Sequence, residues 1–79
     1  MNYLKRLAIS AEGFIFDPVT GSSFTTNETG LFIINALKEE KKEEEVVQML
    51  AENFEVSKEE ASRDLVDFIE QLRYYGLIG

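Results

Sequence analysis

Apolar positions follow one rhythm in the first third of this chain and another in the rest. Phe14-Ile15-Phe16 is a β-prone triplet with its aromatics on one face and Ile15 on the other. Before it, Leu7 and Ile9 stand at alternate positions of Tyr3–Ile9, which predicts a strand ending at the turn signal Ser10-Ala11-Glu12-Gly13. Pro18 presets φ for a turn and Gly21 tolerates a positive φ, so Asp17–Gly21 should reverse the chain. Ser22–Thr26 then returns as a third strand. Its only large apolar residue is Phe24, and hydroxyl side chains fill the other positions.

From Asn27 the spacing becomes helical. Asn27 is a good N-cap, since its side-chain oxygen can accept a free backbone N–H of the first turn. Glu28 follows where the helix dipole favours an acid. Leu31-Phe32-Ile33-Ile34 would suit a strand by propensity, but Asn35-Ala36-Leu37-Lys38-Glu39 continues it without a breaker. Apolar residues nearly all round predict that this first helix is central and the most buried. Glu39–Glu45 is a charge run holding the loop and the start of a second helix. There Val46, Val47, Leu50 and Phe54 form one stripe, with Met49 and Ala51 beside it. Ser57-Lys58-Glu59-Glu60 matches a capping box, so a third helix starts near Lys58. Its stripe is Ala61, Leu65, Phe68, Leu72 and Tyr75, with Ile69 alongside. Gly76 suits the left-handed residue past a helix end, and Leu77 is placed to fold back on the last turn. The reading is an α+β chain in one domain over residues 1–79, a three-stranded antiparallel sheet followed by three α-helices.

Composition narrows the chemistry. With 79 residues the chain can close a core but not a large enclosed active site. It has neither cysteine nor histidine, which removes the thiolate nucleophile, the disulfide, the commonest general base and the commonest metal ligands. No run of about 18 apolar residues exists to span a membrane, and Met1–Arg6 has no apolar stretch of a signal peptide behind it. A cytoplasmic protein is therefore expected. The formal net charge is −7, which repels phosphate backbones and favours a partner with some positive charge.

Each candidate for chemistry has a plainer alternative. The acidic run Glu39–Glu45 lacks EF-hand spacing and a sharp-turn glycine, and Lys41 and Lys42 offset part of it, so it reads as a solvated helix end. Ser22, Ser23, Thr25 and Thr26 have no base placed to activate them. Gly13 and Gly21 are isolated and form no phosphate loop. No enzyme, metal or cofactor is expected. The second and third helices, joined by Asn53–Val56, could form a helix-turn-helix. However, Lys58–Tyr75 carries three cations against five acids, 3 − 5 = −2, the wrong sign for a DNA reader. Two readings remain for Val66, Ile69 and Tyr74, which lie off the main stripe. They cover the edge of the core, or some line a groove beside Ser22–Thr26. In the second case a peptide could add to the free edge of that strand and place alternate side chains in the groove.

Several stretches together resemble the PqqD-like family, also called RiPP recognition elements. They are the hairpin FIFDPVTGSSF, the start Asn27-Glu28-Thr29-Gly30, the helix end Ala51-Glu52-Asn53-Phe54, and Phe68-Ile69-Glu70-Gln71-Leu72 followed by Gly76-Leu77-Ile78. The resemblance runs from about Gly13 to Ile78. One position departs from it: the family usually has a large aliphatic residue before the Asn, and here it is Thr26. The resemblance implies a winged helix-turn-helix-like fold and a non-catalytic peptide chaperone. Such a protein captures the leader segment of a ribosomally made precursor peptide by strand addition. It presents that segment to a modifying enzyme, a radical-SAM enzyme or another. It also implies pairing along the backbone of Ser22, Ser23, Phe24, Thr25 and Thr26, with Leu65, Phe68 and Ile69 in the groove and Asp64 and Asp67 toward a basic residue of the peptide. The expected partners are the leader peptide and the enzyme, with no nucleic acid and no membrane, and the chain is expected as a monomer or weak dimer. A winged-helix transcription regulator and an interaction module of another operon are the alternatives.

Overall fold

The computed structural model describes residues 3–76. A short 3-10 helix, Tyr3–Arg6, leads into β1 (Ala8–Ile9), β2 (Phe14–Phe16) and β3 (Ser23–Thr25). Three helices follow: α1 (Glu28–Lys38), α2 (Glu43–Phe54) and α3 (Lys58–Tyr74). The strands form an antiparallel sheet in the order β1-β2-β3, so the fold is α+β, a small sheet followed by three helices, as the patterning predicts.

The first segment differs from expectation. Only Ala8–Ile9 of Tyr3–Ile9 is strand. Leu4 and Leu7 are both buried, three residues apart, and the Leu7 N–H donates to the Leu4 carbonyl at 3.1 Å. A spacing of three is the period of a 3-10 turn, which brings both leucines under one face. This turn is tied to the rest by charge. Arg6 grips Asp17, with Nη2 to Oδ2 at 2.8 Å and Nε to Oδ1 at 3.1 Å, and Lys38 Nζ donates to the Leu7 carbonyl at 2.8 Å. Asp17 is fully buried. Its Oδ1 also accepts from the Val19 N–H at 2.9 Å, and the Gly21 N–H donates to the Asp17 carbonyl at 2.8 Å, closing the turn. The guanidinium bonded to Asp17 holds its carboxyl below the usual carboxylate range; burial acts in the opposite sense, and the Val19 N–H adds to the lowering.

In β2, Ile15 is buried while Phe14 and Phe16 face out, 60% and 44% exposed. The Asn27 side chain caps α1 by accepting from the Gly30 N–H at 2.9 Å, and Ser57 caps α3 by accepting from the Glu60 N–H at 3.1 Å. Ile33, Ile34 and Ala36 of α1 lie in the core with Val46 and Leu50 of α2 and Ala61, Leu65, Phe68 and Leu72 of α3. Tyr75 leaves the predicted stripe. It sits just past the last residue of α3, is 46% exposed, and lays its ring on Phe24. Gly76 is left-handed, at φ 76°. Leu77 lies outside the described residues.

Candidate functional site

The hairpin register decides which groups of β3 are free. Ile15 pairs with Phe24, Phe14 with Thr25 and Phe16 with Ser23. On either side of the Ile15–Phe24 pair, the Asp17 N–H donates to the Ser22 carbonyl and the Thr26 N–H donates to the Gly13 carbonyl, both at 2.8 Å. Antiparallel ladders alternate bonded and non-bonded pairs. Ser22, Phe24 and Thr26 therefore turn their backbone groups to β2, and Ser23 and Thr25 turn theirs outward. β3 is the last strand of the sheet, and among the described residues nothing pairs with that outer edge.

Beside this edge runs a cleft walled by α3. Its first recess, about 520 Å³, is lined by Thr25, Thr26, Asn27, Thr29, Gly30, Ile33, Asp64, Asp67, Phe68 and Gln71. A second recess, about 690 Å³, is lined by Phe24, Thr25, Asp67, Glu70, Gln71, Tyr74 and Tyr75. Thr25, Asp67 and Gln71 border both, so the two form one continuous channel. Phe24 joins the walls, stacked on Tyr75 with ring centroids 4.9 Å apart and tilted against Phe68 at 6.5 Å.

The tight end of the cleft explains two glycines. A Cβ on Gly30 would stand 1.9 Å from Thr26 Oγ1 and 2.8 Å from a ring carbon of Phe68. Only glycine lets the first turn of α1 lie this close to β3 and α3. Gly13, at φ 97°, has the Thr26 carbonyl oxygen 2.4 Å from where a Cβ would be. That contact and the Thr26–Gly13 hydrogen bond hold the end of β3 in place.

Of the residues singled out from the sequence, Phe24, Thr25, Thr26, Asp64, Asp67 and Phe68 line the channel. Ser23 contributes a free backbone edge. Ser22 and Thr26 lie just outside the three-residue strand: the Ser22 carbonyl accepts from the Asp17 N–H while its own N–H donates to Thr20 Oγ1 at 3.2 Å, and the Thr26 N–H donates to the Gly13 carbonyl. Leu65 and Ile69 do not line the channel. Leu65 is 2% exposed and borders a different recess, between α2 and α3, with Val47 and Val66. Ile69 packs on the edge of the core. The reason is helical rotation: at about 100° per residue Leu65 lies about 100° round the helix from Asp64 and about 160° from Asp67, on the core stripe, and only Phe68 is shared between that stripe and the channel wall. Tyr74, one of the three off-stripe residues weighed for a groove, borders the channel, whereas Val66 does not; Asn27, Thr29, Glu70, Gln71 and Tyr75 border it without having been singled out for it. The spacing Asp64, Asp67, Gln71, Tyr74, in steps of three and four, was the available signal for the α3 wall.

The sequence matches the family described as coenzyme PQQ synthesis protein D (PqqD) over residues 12–78. The chain belongs to the PqqD family. No curated protein and no solved structure matches it. The matched span covers β2, β3 and all three helices, and so both walls of the channel. PqqD membership is consistent with a peptide-binding, non-catalytic accessory role in PQQ or related peptide-modifying biosynthesis. No helix among the described residues is long and apolar enough to cross a membrane.

Proposed function

We propose that this chain captures the leader segment of a precursor peptide as an added strand on the outer edge of β3 and presents it to a modifying enzyme. The observation that carries the reading is the coincidence of an unpaired strand edge with a side-chain channel. Ser23 and Thr25 turn their backbone groups outward, and Thr25 also borders the cleft between β3 and α3. Strand addition needs both: main-chain hydrogen bonds give affinity, and pockets for alternate side chains give selectivity. Family membership supplies the class of partner. Ordering a flexible leader opposes binding, so the expected dissociation constant is about micromolar to sub-micromolar.

The test is an NMR titration of isotope-labelled protein with the leader peptide encoded beside its gene. Amide shifts should cluster at residues 23–25 and along the 64–75 face of α3. Shifts confined to α2 or to the outer face of the sheet would refute the assignment.

A further inference from the structure

The channel is chemically lopsided. At the end where β3 meets α1, its wall carries Asp64 and Asp67, and neither has an ion-pair partner among the described residues. At the other end stand Phe24, Tyr74 and Tyr75 together with Asp67, which borders both recesses, and Glu70, whose carboxylate is paired with Arg73. No lysine or arginine borders either recess, although α3 itself holds three cations. Among the described residues no cation pairs with these two carboxylates, and the outer edge of β3 supplies the backbone contacts beside them.

Helix and strand geometry convert this arrangement into a spacing. The midpoint of Asp64 and Asp67 lies about nine residues from that of Tyr74 and Tyr75, or about 13 Å along the helix axis at about 1.5 Å per residue. An extended strand rises about 3.3 Å per residue, so about four peptide residues cover that distance. Side chains of a strand alternate, so positions four apart point to the same face.

Resting on the strand-addition reading, we infer that the channel selects a peptide segment carrying a lysine or arginine four residues from a large apolar or aromatic side chain. The cation meets Asp64 and Asp67, and the apolar group packs against Phe24 and the two tyrosines.

The probes are synthetic acetylated nonapeptides of Thr and Val with one Lys and one Phe, in both sequence orders. Their variants replace Lys by Gln or Glu, or move Phe to a spacing of three. Binding to the intact protein is read by fluorescence anisotropy and by amide shifts at residues 23–25. The Lys peptide with spacing four, in one of the two orders, should bind at least about tenfold more tightly than its Glu counterpart. That preference should shrink between 0.05 and about 0.5 M salt, as screening requires. It should vanish in Asp64→Asn/Asp67→Asn, while residues 23–25 still shift. Equal binding of the Lys, Gln and Glu peptides, with shifts at 23–25 intact, overturns the selectivity and leaves the strand-addition reading standing. Failure of every peptide to perturb residues 23–25 overturns the selectivity too; the reading beneath it is then judged on the encoded leader alone.

Discussion

Asp17 shows how a single side chain holds the platform for β3. It is a fully buried acid at the start of the turn between β2 and β3, and its carboxylate is satisfied by Arg6 and the Val19 N–H. Because the Arg6 contact lowers its folded pKa below the unfolded value of 3.8, the group favours the folded state at pH above that value. The contribution fades as the pH falls through the folded pKa. Thermal melts from pH 7 down to about 2.5 should therefore show wild type losing stability below about pH 4. Asp17→Asn should melt lower than wild type at neutral pH, with the gap narrowing in acid. A gap that does not change with pH would argue that the amide disrupts packing rather than removing a charge. The sequence offered no sign of this pair. Arg6 and Asp17 are eleven residues apart, and Asp17 read simply as a turn residue next to proline.

At the scale of elements, the helices were legible and the N-terminal strand was not. Asn27 and Ser57 sit at the caps their side chains predict, because an N-cap depends on local backbone geometry alone. The stripe of α3 was legible for Ala61, Leu65, Phe68 and Leu72, since burial at helical spacing leaves a strong periodic signal. The 3-10 turn at Tyr3–Arg6 was missed because Leu7 and Ile9 suggest a period of two, and the Leu4–Leu7 spacing of three is a single step over so few residues. For the cleft, its two walls could be named but not the rotation of α3 between core and channel, which depends on packing against α2. The register now assigns roles that the sequence left open for two neighbours in β3. Thr25→Pro removes an outward N–H and should keep most of the folding stability while weakening leader binding at least about tenfold. Phe24→Pro removes an inward donor and the ring that joins the walls, and should cost about 3 kcal/mol or more of stability. Urea unfolding beside binding titrations separates the two. A Thr25→Pro protein whose binding loss is no larger than its loss of folded population would contradict pairing at the outer edge.

For the whole molecule, the parts that matter meet at one place. The hairpin presents an edge with no partner among the described residues, the tight packing at Gly13 and Gly30 fixes its far end, and α3 lays beside it a wall with the unpaired carboxylates of Asp64 and Asp67 toward one end and two tyrosines, next to the Glu70–Arg73 pair, at the other. The net charge of −7 is in keeping with a cationic segment as the guest. The most direct test of the central claim is amide hydrogen exchange at β3, measured with and without a saturating encoded leader peptide. Ser23 and Thr25 should exchange freely in the unbound protein and slow by at least about tenfold in the complex, because their N–H groups gain acceptors there. The Phe24 amide, already bonded to β2, should change far less. If Ser23 and Thr25 exchange at the same rate in both states while the leader is bound, the peptide does not extend the sheet and the account is wrong.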